Sequence, residues 1–152
     1  MIDALVRSVY RVGYRAALAW WFVRRPRVHG AFVAVWHDGH LLLIRNSYRR
    51  GETIPCGRVE RGESPLEAAR RELREEVGID APASELEPAS DFELLFDYKR
   101  DRASIFEYHP AERPAVRVDA REVVWGEFVA ERELAERPLV PHVARYLEHR
   151  SG

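Results

Sequence analysis

The chain has 152 residues, 46% of them hydrophobic and 32% charged, the make-up of one globular domain long enough to bury a core without help from a disulfide or a structural metal. Cys56 is the single cysteine, which excludes an intrachain disulfide and a Cys-rich zinc site. Twenty-four basic residues against 25 acidic ones leave a net charge of -1, which excludes the basic balance of a nucleic-acid module.

Taken in chain order, residues 2 to 22 carry a helical period. At about 100° per residue, Ile2, Leu5, Val6, Val9, Gly13, Ala16, Ala17 and Trp20 fall on one face and Arg7, Arg11 and Arg15 on the other. Residues 1–27 hold six Arg and one Asp, a net of +5, which leaves -6 on the rest of the chain. This amphipathic helix is expected to dock by its apolar stripe on its own domain or on a second copy as a homodimer. A basic helix ending in Trp20, Trp21 and Phe22 also suits a lipid surface, the less expected use. Its longest uncharged apolar run, Ala16 to Val23, is too short for a membrane span of about 20 residues. Arg7, Arg11 and Arg15 fall where a signal peptide would have its unbroken apolar stretch, so a cytoplasmic protein is expected.

After Pro26 the period becomes that of strands. Val28 to Trp36 and Leu41 to Arg45 flank His37-Asp38-Gly39-His40, a hairpin signal. Thr53 to Cys56 reads as a short extended piece and Ser64 to Val77 as a second helix. Phe92 to Tyr98 and Ala103 to His109 read as a hairpin turning at Lys99 to Arg102. Val123 to Val129 reads as a strand and Pro141 to His149 as a last helix. This order predicts an α+β chain, an α/β/α sandwich: residues 1–27 form a helix and its connection, and residues 28–152 the domain proper.

The second helix is announced locally. Ser64 suits the N-cap, Pro65 the first turn, Glu67 a capping box and Gly78 the C-terminal stop. Leu66, Ala69, Leu73 and Val77 make its apolar stripe, and Glu72, Glu75 and Glu76 share a neighbouring sector of about 100°. Carboxylates at that spacing repel one another. Two readings are open: a solvated face partly neutralised by Arg70, Arg71 and Arg74, or oxygen ligands for a hard cation such as Mg²⁺ or Mn²⁺.

Gly57, five residues, Glu63, seven residues, Arg71-Glu72-Leu73, one residue, Glu75-Glu76, one residue and Gly78-Ile79 together match the signature of the Nudix hydrolases, and residues 28 to 149 resemble that family. The resemblance implies a Nudix fold with a mixed β-sheet. It also implies hydrolysis, dependent on Mg²⁺ or Mn²⁺, of a diphosphate bond in a nucleoside diphosphate linked to another moiety: a nucleoside triphosphate, nucleotide sugar or dinucleotide. It further implies that Glu72 and Glu76 are metal ligands and that Glu75 is a third ligand or the water-activating base. Arg71 would hold the glutamates, with Glu75 its natural helix partner, and Glu63 would be the junction glutamate. The backbone carbonyl of Cys56 would be a further metal ligand, at a position where relatives often have Gly. Glu107, Glu112 and Glu122 are alternative bases. Arg45, Arg49 and Arg50 are candidate phosphate contacts, and Tyr48, Phe96 and Tyr98 candidate stacking residues.

Subfamily markers are mostly missing. Leu94 and Leu95 stand where many ADP-ribose hydrolases carry Pro, and Tyr98 is one residue late for the Tyr of many dinucleoside-polyphosphate hydrolases. The other functional reading is a Nudix-fold nucleotide-binding or regulatory domain without catalysis. All basic residues but Lys99 are arginine, as expected of a GC-rich bacterial genome.

Overall fold

A computed structural model describes residues 2–151, and side chains from Ala4 onward. Helix α1 (Ile2–Arg24) leads into β1 (Arg27–His37), β2 (His40–Asn46) and β3 (Cys56–Arg58). Helix α2 (Pro65–Val77) is followed by β4 (Leu86–Phe96), β5 (Lys99–Tyr108), β6 (Val123–Ala130) and α3 (Pro141–Ser151). Short 3₁₀ turns lie at Ala83–Glu85 and Glu131–Glu136.

The sheet order is β4-β5-β1-β2-β6, with β3 also on β1. Strand β1 runs parallel to β5 and antiparallel to β2 and β3, so the sheet is mixed. Successive residues of β1 point to opposite faces. Ala31, Val33 and Val35 join Leu42, Ile44 and the α2 residues Ala69, Leu73 and Val77 in one core. Phe32, Ala34 and Trp36 join Leu41, Leu43, Ile54 and the α3 residues Val143 and Tyr146 in the other. This is the expected sandwich: a sheet buried on both faces reads as a continuous apolar run.

Three local expectations are corrected. The β4–β5 hairpin turns at Asp97 and Tyr98, both with positive φ (49° and 63°), and pairs Phe96 with Lys99. Two residues close it, so Lys99 to Arg102 are strand, not turn. Lys99 and Asp101 face inward while Arg100 and Arg102 face solvent. The extended piece at Thr53 to Cys56 is a single bridge from Thr53 to Ile44, and the strand itself starts at Cys56.

The third correction concerns α1. The helix docks on its own domain, but through the side that carries its arginines. Arg7 Nε donates to the Ala120 carbonyl (2.8 Å) and Arg11 Nε to the Ser47 carbonyl (3.2 Å). The Tyr14 ring lies 5.2 Å from that of Tyr48, and its hydroxyl donates to Asp97. Most of the apolar stripe faces out: Leu5, Val9 and Trp20 are 67%, 64% and 60% exposed, with Val12 and Val23 beside them, while Val6 and Ala17 at its edge are half-buried. Ile2, the first residue of that stripe, lies outside the described side chains. Arginine and tyrosine stems pack as well as they hydrogen-bond, so a helix face rich in them can be the buried one.

Candidate active site

Helix α2 is fixed at both ends before it meets the sheet. Ser64 Oγ accepts from the Glu67 backbone N–H while the Glu67 carboxylate accepts from the Ser64 N–H, and Gly78 caps the other end at φ 71°. The left-handed conformation there suits glycine. The helix sets Glu72 and Glu76 against β3. A Cβ built on Gly57 would sit 2.0 Å from the Glu72 carboxyl carbon, so only glycine lets that carboxylate lie against the strand. Glu76 is 8% exposed; it accepts from the Cys56 backbone N–H at 2.8 Å and interacts with the Asn46 side chain.

Arg71 organises the acidic groups. Its Nε and Nη2 donate to the two oxygens of Glu63, and Nη1 donates to Glu72. Glu75, the partner expected from helix spacing, is the weaker one at 3.4 Å. A third anchor runs from Nη2 to the Arg58 carbonyl at 3.0 Å. The Arg71 hydrogen bond, with one from the Glu60 N–H, holds the Glu63 carboxyl below its ordinary value. Burial pushes Glu72 up and Glu76 well up. Burial also raises the Cys56 thiol, as does the neighbouring Glu76 carboxylate, which leaves a neutral packed sulfur rather than a nucleophile.

Among the described residues no three Asp, Glu, His or Cys side chains already converge on a cation position, because Glu72 is turned onto Arg71 and Glu76 onto Cys56 N–H. The donor set nevertheless fits a hard divalent ion. It is all oxygen, and it includes a buried carboxylate whose hydrogen-bond partners here are uncharged.

These groups open on a cavity of about 600 Å³, within the range of small-molecule sites. Glu72, Glu75, Gly57, Cys56, Arg49 and Tyr48 line it, and so does Glu122, which accepts from the Tyr48 hydroxyl at 3.2 Å. The other two alternative bases do not. Glu107 binds Tyr146, His109 and Arg150, and Glu112 lies beside Asp80 and Arg117.

Of the three candidate phosphate contacts only Arg49 reaches the cavity. Arg45 follows Ile44 by one, so strand alternation turns it to the other sheet face, where it pairs with Glu52 at 3.0 Å and lies over Trp125. Arg50 points to solvent. Tyr98 packs its ring on Phe22, and Phe96 packs on His142 and Arg49, so Tyr48 alone of the three aromatics lines the cavity. Sequence reasoning missed Trp21, Lys99, Asp101 and His142, which also line it. The alternation of Lys99 and Asp101 was the available signal, hidden by placing the turn on them.

The NUDIX domain model matches residues 26–149. An RNA pyrophosphohydrolase of Halorhodospira halophila is 49% identical over 55 residues, 36% of this chain and 29% of that protein. An octanoyltransferase of Myxococcus xanthus is 41% identical over 59 residues, 38% of this chain and 16% of that one. The chain thus spans less than a third of either relative. A MutT NUDIX hydrolase structure from Burkholderia pseudomallei superimposes with a TM-score of 0.72 at 24% identity, over 82% of this chain and 97% of that one. With the signature from Gly57 to Ile79 folded as a strand, loop and helix, and the family model covering residues 26–149, the chain belongs to the Nudix hydrolase family.

Proposed function

We propose that the protein hydrolyses a diphosphate bond in a nucleoside diphosphate linked to another moiety, with Mg²⁺ or Mn²⁺ as cofactor. The observation that carries this reading is Glu76, a buried carboxyl raised by desolvation and bonded to the backbone of Cys56, one turn of α2 on from Glu72, which lines a nucleotide-sized cavity. A structural role does not call for a buried acid there; a cation offsets its charge. Glu72 and Glu76, with the Cys56 carbonyl, would hold the ion. When bound, it supplies neutralisation of the phosphates, polarisation of the phosphoryl oxygen and a lowered pKa for a coordinated water.

The chain's own groups do the rest. Arg71 keeps Glu63 and Glu72 in place. Glu75, 57% exposed at its side chain, is free to take the proton of the attacking water, and Glu122 is the alternative base that also lines the cavity. Arg49 supplies positive charge to the phosphates. The pyrophosphohydrolase name of the Halorhodospira relative agrees with this chemistry. Glu72→Gln and Glu76→Gln should abolish Mg²⁺-dependent turnover on a nucleotide panel while the circular dichroism spectrum stays that of wild type. Full activity in both would overturn the assignment.

A second reading, a nucleotide-binding domain without catalysis, is favoured by the engagement of Glu72 with Arg71 and of Glu76 with the Cys56 N–H. Tight binding of one panel nucleotide without hydrolysis under Mg²⁺ or Mn²⁺ would establish it. Among the described residues no helix is long and apolar enough to cross a membrane, and we place the protein in a bacterial cytoplasm.

A further inference from the structure

Arg49 reaches the cavity from between α1 and the β4–β5 hairpin. Its guanidinium carbon lies 5.3 Å from the centre of the Phe96 ring and 5.7 Å from that of Tyr14. Ring faces hold a guanidinium in place and leave its N–H groups able to donate elsewhere. Arg49 Nε is buried and has no hydrogen-bond partner among the described residues. Buried donors are rarely left so, and where they are, a ligand or water completes them.

A carboxylate stands close by without closing on this guanidinium. Asp97 Oδ2 is 3.8 Å from Arg49 Nη2, beyond hydrogen-bond reach, although both side chains are mostly buried, at 18% and 19% exposed. What holds the carboxylate off is bonded to the same oxygen: the Tyr14 hydroxyl donates to Asp97 Oδ2 and also interacts with the Arg49 side chain. Two donors thus compete for one carboxylate oxygen, and the neutral one has it.

The hydroxyl is built to keep that place. Burial first, and then the bond to Asp97, pushes the phenol up to about 12, so it stays protonated and goes on donating at ordinary pH. Its ring is fixed by Tyr48 at 5.2 Å and, edge-on, by Trp21 at 6.2 Å. The consequence falls on charge. An Arg49 closed on Asp97 would present a neutralised pair with its donors spent, whereas an Arg49 kept apart from it offers both charge and donors to an anion. Tyr14 stands ahead of residues 26–149, which the family model matches, so this control is supplied from outside the matched domain.

We propose that Tyr14 is a positioning residue for Arg49: by occupying Asp97 Oδ2 it holds the carboxylate off the guanidinium and keeps Arg49 open to a phosphate group of the substrate. The proposal rests on the reading of Arg49 as a phosphate contact and adds to it a control by α1.

The test is isothermal titration of the full-length protein, in the presence of Mg²⁺, with methylenediphosphonate, a diphosphate analogue with no bridging oxygen to cleave. Tyr14→Phe removes only the hydroxyl; Asp97 should then close on Arg49 and the affinity should fall about tenfold. Asp97→Asn, which the positive φ of 49° at this position tolerates, should bind at least as tightly as wild type. The double variant Tyr14→Phe/Asp97→Asn should bind like Asp97→Asn alone, because the competing carboxylate is gone. A merely structural Tyr14 would leave the double variant as weak as Tyr14→Phe, and that result overturns the proposal. Weaker binding by Asp97→Asn overturns it as well, whether or not Tyr14→Phe folds. Arg49→Ala separates the two readings. If it binds as wild type does, the phosphate reading of Arg49 fails and the proposal with it; if it is weak and Tyr14→Phe is not, the proposal alone fails. None of these outcomes bears on the hydrolase assignment, which Glu72→Gln tests on turnover.

Discussion

Arg71 grips Glu63 with a fork, Nε to Oε1 at 2.9 Å and Nη2 to Oε2 at 3.0 Å, and with its remaining nitrogen reaches back to Glu72. The loop before α2 and the glutamate-bearing face of α2 are thus joined through one guanidinium. Lysine carries the charge but has no planar fork. Arg71→Lys should therefore lower unfolding stability by about 1–3 kcal/mol, read by urea denaturation, and reduce kcat more than it raises KM. An unchanged kcat would mean that Glu72 needs no positioning by Arg71.

Gly57 serves the site through the space its missing side chain leaves. Gly57→Ala puts a methyl group where the Glu72 carboxyl now lies. The carboxylate must move, and displacement of a reacting group by about 1 Å can cost about a hundredfold. Turnover should fall at least tenfold, with a weaker apparent Mg²⁺ affinity in a titration of rate against metal; wild-type Mg²⁺ dependence would show that Glu72 has another position open to it.

Glu107 offers a pH signature away from the catalytic residues. Burial pushes its carboxyl up, but hydrogen bonds from Tyr146 and His109 and the nearby Arg150 outweigh that and hold it below the ordinary value. A carboxyl depressed in the folded state binds fewer protons there than when unfolded. Its stabilisation is therefore present above the unfolded value, about 4.3, and is lost as pH falls through the folded one. The Tm difference between wild type and Glu107→Gln should be largest near neutrality and shrink below about pH 4.3. Because Glu107 is outside the cavity, the same variant should hydrolyse normally, and Glu75→Gln should not.

The expectation of a homodimer can be tested on the outward-facing residues of α1. Sedimentation at micromolar concentration should give a dimer for the full chain and a monomer for Val9→Glu. A monomeric wild type that pellets with phosphatidylserine vesicles would assign the face to lipid instead.

Helix α2 was legible to the residue because its caps, stripe and stop all lie within one short segment. Strand β1 was legible as a strand from its apolar run, but a run buried on both faces does not say which residue enters which core. For α1 the period showed that the helix has two sides but not which one is covered. Arg7, Arg11, Tyr14 and Trp21 count as polar or amphipathic by type, yet their bonds to Ala120, Ser47, Asp97 and Lys99 make theirs the docked side. The Lys99 to Arg102 run failed similarly: four charges in a row suggest a turn until one sees that alternate members enter a cavity. The far end of that cavity joins α1, β5 and α3, elements that no local pattern relates.

The pairing of β1 with β5 runs unbroken from Arg27 opposite Arg100 to Val35 opposite Tyr108. Every one of those contacts closes a loop containing β2, β3, α2 and β4, and a parallel pairing of such long range carries a large closure entropy before any contact repays it. Helix α2, with its local caps, can form early in refolding. The cavity between Phe32 and Asp101 exists only after this late zippering. Refolding followed by nucleotide binding should accordingly lag behind refolding followed by helix signal, and in a cell this chain exposes its inner strands for longer than a helical protein of the same size.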